Sequence, residues 1–146
     1  QAGKDGKPAW CYYDNDPVNE KKYGKLYNWY AVNDSRGLAP EGWHIPTEAE
    51  LKTLSASVNG NGNSLKAIGE GTGDYAGTNT SGFSALLRGY RNGLGSFCNP
   101  TLTFFWSSSD YDVNSAHSLS LSSNDSKFWF QAFTMSFGFN VRCLKD

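Results

Sequence analysis

Ile45-Pro46-Thr47-Glu48-Ala49-Glu50-Leu51 is the stretch from which the fold is read. Thr47 carries the side-chain oxygen of a helix N-cap, and Glu50, three residues on, can reach back to the N–H of the cap. Glu48 and Glu50 also suit the positive end of the helix dipole. Leu51 and Leu54 give the apolar stripe, and Asn59-Gly60 ends the run. The sequence therefore predicts a helix that starts at Thr47 and closes before Asn59.

Towards the N-terminus, residues 1–9 are polar, carry Gly and Lys, and read as a tail. Trp10 to Tyr13 forms an aromatic run suited to a strand, ended by the turn signal Asp14-Asn15-Asp16-Pro17. Lys25 to Val32 reads as a short, largely buried helix closed by Asn33-Asp34. In the other direction, Asn59 to Ser81 is rich in Gly, Asn and Thr, with a short helical piece predicted over Leu65–Ile68. After Gly82 the chain becomes apolar runs separated by turns: Phe83–Leu87, Gly89–Arg91, Phe104–Ser107, Ala116–Ser122, Lys127–Phe133 and Phe139–Leu144. Such runs predict antiparallel strands. Helices first and strands later, with no repeat or linker between them, give one loop-rich α+β domain over residues 1–146.

Composition narrows the function. Hydrophobic residues are 38% of the chain but aromatic residues alone are 15%, so large rings must build much of the core. Sixteen glycines argue against a helix bundle. A net charge of −1 without a basic run excludes the usual nucleic-acid footprint. No stretch approaches the roughly 20 apolar residues of a membrane-spanning helix. Low charge with abundant Ser, Thr, Asn and rings leans towards an extracellular or cell-surface binding domain. Cys11, Cys98 and Cys143 cannot all pair within one chain and lack CxxC spacing, so both one disulfide and free thiols stand open. With only His44 and His117 beside them, a structural zinc site is not predicted. Asp14-Asn15-Asp16 lacks the Gly and the later bidentate Glu of a calcium loop and reads as a turn. A structural calcium held by several loops would leave no motif, and no other cofactor is implied.

Several phrases resemble the Fibrobacter succinogenes major paralogous domain family of secreted proteins from Bacteroidetes and relatives. They are Tyr23-Gly24-Lys25-Leu26-Tyr27-Asn28-Trp29-Tyr30-Ala31-Val32, Leu38-Ala39-Pro40-Glu41-Gly42-Trp43-His44-Ile45-Pro46-Thr47 and Ser81-Gly82-Phe83-Ser84-Ala85-Leu86. Gly89-Tyr90-Arg91, Phe105-Trp106-Ser107-Ser108 and Gly138-Phe139-Asn140-Val141-Arg142-Cys143 follow in order. The Pro-Thr-Glu-Ala-Glu helix and the closing Gly-Phe-x-Val-Arg phrase also resemble the formylglycine-generating type of C-type-lectin-like fold. That resemblance implies two helices flanking a small, twisted antiparallel sheet, chain ends that approach each other and a central last strand. It also implies a likeness to the variable proteins of diversity-generating retroelements, whose ligand-binding residues lie in the C-terminal segment, here Trp106 to Arg142. Relatives often place a Cys just before Pro-Glu-Gly-Trp as a partner for the terminal Cys, where this chain has Ala39. The Glu-Pro-Asn or Gln-Pro-Asp triplet of calcium-dependent lectins is absent.

The resulting expectation is a non-catalytic recognition domain, secreted, surface-displayed or phage-borne, whose ligand is a protein or cell-surface macromolecule. A lectin-like, carbohydrate-binding domain is the alternative, and an enzyme of the formylglycine-generating type ranks last because no motif marks Cys98 and Cys143 as a catalytic pair. The expected face comprises Asp110, Tyr111, Asn114, His117, Ser118, Ser120, Ser122, Trp129, Gln131, Phe133 and Met135. In Ala116–Ser122 the residues His117, Leu119 and Leu121 alternate with Ala116, Ser118, Ser120 and Ser122, so the Ser row shares one side of a strand. Tyr111 and Trp129 would supply rigid contact area and the Ser and Asn groups adjustable hydrogen bonds, as in antibody paratopes. His44 is expected to be structural. His117 stands open between half-burial and ligand contact, and Trp129 between an exposed anchor and a locally aromatic core. The sequence does not specify an oligomeric state.

Overall fold

The computed structural model describes residues 1–146. Its elements in chain order are β1 (Trp10–Tyr12), α1 (Glu20–Tyr23), β2 (Lys25–Tyr27), α2 (Trp29–Val32), β3 (Trp43–His44) and α3 (Glu48–Ser57). They are followed by β4 (Tyr90–Arg91), β5 (Phe97–Cys98), β6 (Leu102–Asp110), β7 (Ser115–Ser122), β8 (Phe128–Thr134) and β9 (Leu144–Lys145). Strands pair antiparallel in four small sheets, β1–β2, β3–β9, β4–β5 and the three-stranded β6–β7–β8. This is a small mixed α/β domain with few helices.

α3 forms as its sequence predicts, with the Thr47 hydroxyl accepting from the Glu50 N–H at 3.2 Å and the Glu50 carboxylate accepting from the Thr47 N–H at 2.8 Å. The helix expected over Lys25–Val32 is instead strand β2 followed by the single turn α2. Asn28 causes the break: its side chain accepts from the Ala31 N–H and so caps α2, and an N-cap residue is not helical. The helical piece expected at Leu65–Ile68 falls earlier, as a 3₁₀ turn at Gly62–Ser64. Phe83–Leu87 is not a strand and makes only the Lys66–Ala85 bridge, because the ring and leucine side chains of this run fill space beneath α3. Phe139–Leu144 likewise reduces to bridges at Phe139 and Asn140 before β9. Residues 1–9 are tied down at Asn28, whose side chain accepts from Ala9 N–H and donates to the Lys7 carbonyl.

The β6–β7–β8 sheet has an apolar layer on each side. Leu119, Leu121 and Phe105 face Leu51 of α3 together with Leu65 and Leu87. On the opposite face Phe104 and Trp106 pack with Trp29, Ile45 and Phe139, whose ring lies 4.3 Å from that of Trp106. Two indoles are fixed by their polar edges as well, since Trp106 Nε1 donates to the Tyr27 carbonyl and Trp29 Nε1 to that of Ser107. The outer edge of β6 is covered by other segments: Trp106 N–H donates to the Asn140 carbonyl and Asn140 N–H to that of Phe104, Gly89 N–H donates to the Leu102 carbonyl, and Ser108 N–H to that of Pro46.

Candidate functional site

The expected recognition residues divide into three groups. Phe133 and Met135 belong to the core, correcting their assignment to a contact face. Phe133 packs edge-on against Phe104 at 5.1 Å, and Met135 lies buried while its carbonyl accepts the Trp29 N–H. Ser118 is also withdrawn, being 0% exposed. It sits on the central strand beside Trp106, and its hydroxyl donates to the Gln131 carbonyl across the ladder. Both faces of β7 are covered, so alternation on that strand separates two cores rather than a core from solvent.

Asp110, Tyr111, Asn114 and His117 gather at one end of the sheet, around the β6–β7 connection. Asp112 shapes this connection by accepting from the N–H groups of Asn114 and Ser115, and the Ser115 side chain, followed by these backbone bonds, lowers its carboxyl pKa from the ordinary value. Tyr111 is exposed and stands edge-on to the His117 ring at 5.3 Å. His117 Nδ1 lies 3.3 Å from Glu48 in the first turn of α3. His117 is half-buried, with its ring held against the start of that helix.

Ser120, Ser122, Trp129 and Gln131 meet at the other end of the sheet. They line a cleft of about 430 Å³ together with Leu102, Phe104, Leu121, Asn124 and Asp125. Trp129 is 49% exposed, so its ring stands at the surface rather than in the core. Its neighbour on the same face is Gln131, two residues along β8. Neither the Trp129 indole N–H nor the Gln131 amide has a hydrogen-bond partner within the chain, unlike the indoles of Trp29 and Trp106. Ser120 and Ser122 are buried in the floor, with their hydroxyls donating to the Trp129 carbonyl and to Asn124 Oδ1.

Asn124 and Asp125 lie in the connection between β7 and β8, which carries them to the rim. Lys66 lies beneath this turn. Its side chain is completely buried, and its ammonium donates to the carbonyls of Tyr75 at 2.6 Å and of Ser122 and Asp125 at 2.9 Å. Burial lowers the Lys66 pKa, and the nearby Asp125 charge opposes that fall. The ammonium thus ties the rim of the cleft to the 59–81 loop. Gly62 lies against the same turn, where a Cβ would meet the Lys127 carbonyl at 2.7 Å. No sequence signal marks Lys66, because its partners are backbone atoms of remote segments.

All three cysteines are free, and burial raises the thiol pKa of Cys11 and Cys143, opposite to the shift of an activated nucleophile. His44 bridges Asp146 through Nδ1 at 2.6 Å and Glu50 through Nε2 at 2.9 Å, pinning β9 to α3 as a structural histidine does. Asp16 accepts from the Val18 N–H, a turn role for the Asp14-Asn15-Asp16 run. No group of His, Cys, Asp and Glu side chains is placed to hold a metal ion. No helix is long and apolar enough to cross a membrane.

Fold and site together define a small mixed α/β domain with an open, aromatic-walled cleft at one end of its main sheet. The chain belongs to the Fibrobacter succinogenes major domain family, whose model matches residues 2–145. No curated protein and no solved structure matches it.

Proposed function

We propose that this is a non-catalytic recognition domain that grips a protein or another cell-surface macromolecule at the Trp129 cleft. The observation that carries the reading is the exposed Trp129 indole, its N–H unpaired, standing beside the unpaired Gln131 amide over an open cleft. A large ring half exposed to water keeps apolar surface in contact with solvent, and burying it against a partner is favourable by about 25 cal/mol per Å² of apolar surface. The unpaired amide and indole donors add directional bonds, the rigid indole at low cost in side-chain entropy.

We further propose a secreted, surface-displayed or phage-borne setting and a C-type-lectin-like arrangement akin to the variable proteins of diversity-generating retroelements, a reading that rests on the sequence phrases quoted above. Within that reading the site is smaller than the sequence suggests, comprising Trp129, Gln131, Ser120, Ser122, Asn124 and Asp125. Tyr111, Asp110 and Asn114 form a separate exposed tip.

A carbohydrate ligand is the second reading, favoured by an indole face with Gln131, Asn124 and Asp125 at its edge, which suits stacking plus hydrogen bonds to hydroxyls. The two are separated by probing the multimerised domain on a glycan array, with calcium and again with chelator. Saturable glycan binding that Trp129→Ala abolishes makes the domain a lectin and overturns the protein-ligand reading. A blank array keeps the protein reading ahead.

A further inference from the structure

The outer edge of β8 has no partner. β8 ends the three-stranded sheet, and its seven residues pair with β7 in an unbroken register from Ser115–Thr134 to Leu121–Phe128. The direction of its peptide groups follows from the opposite side of the sheet. Trp106 N–H and the Phe104 carbonyl point away from β7 to Asn140, so their β7 neighbours Ser118 and Ser120 aim their own peptide groups at β8. Gln131 and Trp129 therefore bond inward, and Phe128, Phe130 and Ala132 present N–H and C=O outward. No other backbone or side-chain group of the chain meets these outward atoms.

Soluble proteins ordinarily guard such an edge with Lys, Pro, a bulge or a covering segment. β6 has its cover in Asn140, Gly89 and Pro46. β8, Phe128-Trp129-Phe130-Gln131-Ala132-Phe133-Thr134, has no charge, no proline and no bulge.

We propose that β8 pairs antiparallel with β8 of a second copy of this chain about a two-fold axis at Gln131, joining two sheets into one of six strands. The strand is self-complementary in that register. Phe130 stands opposite Ala132 of the partner on the α3 side, and Trp129 opposite Phe133 of the partner on the cleft side, pairing large with small and ring with ring. The ends match by charge. Lys127 of each copy falls opposite Met135 of the other, whose N–H is held by Asn114 in the connection that carries Asp110 and Asp112. None of Lys127, Asp110 and Asp112 takes part in an ion pair within the chain. An isologous contact of this kind closes on itself and does not propagate into fibres. It would set two Trp129 clefts on one face, giving the dimer two linked grips on a repetitive surface.

The test is sedimentation equilibrium on the domain from about 1 to about 300 µM, a span that brackets a micromolar dissociation constant. The wild type should approach twice the 16.0 kDa chain mass. Ala132→Pro removes an outward N–H at an edge position that tolerates proline. Ala132→Lys keeps the backbone and places like charges on facing strands, its side chain lying on the face opposite Trp129. Both variants should stay monomeric across the range with the circular dichroism of the wild type, and the lysine variant decides the matter should the proline one fail to fold. A wild type that is monomeric throughout overturns the proposal, as does a dimer that persists in Ala132→Lys.

Discussion

Replacing Lys66 by methionine keeps the length of the side chain and removes the ammonium that holds the carbonyls of Tyr75, Ser122 and Asp125. A buried carbonyl left without a donor costs about 1–3 kcal/mol. The Ser122 carbonyl is enclosed, whereas those of Tyr75 and Asp125 lie in turns that can swing towards water, so the low end of the range applies to them. Relief of the buried charge works the other way. The balance is a loss of about 3 kcal/mol, which for a domain of this size lowers Tm by about 10 °C. Urea titration followed by tryptophan fluorescence measures the loss, and amide exchange shows where it falls, with faster exchange expected at residues 122–127 ahead of α3. A variant as stable as the wild type, or more so, would refute the reasoning by showing that the three carbonyls need no donor from Lys66.

Three further outcomes follow from the packing and the charges. Leu119→Ala empties a fully enclosed position between β7 and α3 and should cost about 2–5 kcal/mol in urea unfolding. Thr47→Ala breaks the capping box and should cost about 1 kcal/mol, seen as a Tm drop of about 2–4 °C. The Asp146 and Glu50 carboxylates raise the pKa of His44 above its ordinary value of about 6.5. The folded state therefore holds this proton more tightly than the unfolded chain, so its stabilising contribution is complete below about pH 6.5 and fades as pH rises through the folded pKa. His44→Gln should flatten that part of the stability–pH curve, and an unchanged curve would show that the bridge is not coupled to folding.

Much of the frame is legible in residues that act locally. Thr47 and Glu50 specify the start of α3 by themselves, and the Asp14–Pro17 turn rests on a side chain bonding to nearby backbone. Lys25–Val32 misleads because its apolar residues suit a buried strand and a buried helix equally, and only the capping role of Asn28 decides between them. The site is legible in part for a related reason. Period-two alternation puts Trp129, Gln131 and Phe133 on one side of β8, but it does not say where along the strand the core ends. That limit is set by Phe104, Phe139 and Met135, which cover Phe133 and leave Trp129 free. Lys66 shows the converse, a charged residue in a polar stretch that folding buries completely.

The measurement that tests the central claim most directly is affinity for a ligand drawn from a screen of glycans and extracellular proteins, compared across wild type, Trp129→Ala and Tyr111→Ala. If the cleft is the recognition site, Trp129→Ala weakens binding by about tenfold or more, equivalent to at least about 1.4 kcal/mol, while its half-exposed position leaves Tm nearly unchanged. Tyr111→Ala, at the opposite end of the sheet, should bind as the wild type does. Full affinity in Trp129→Ala together with loss in Tyr111→Ala would contradict the account and move recognition to the β6–β7 tip.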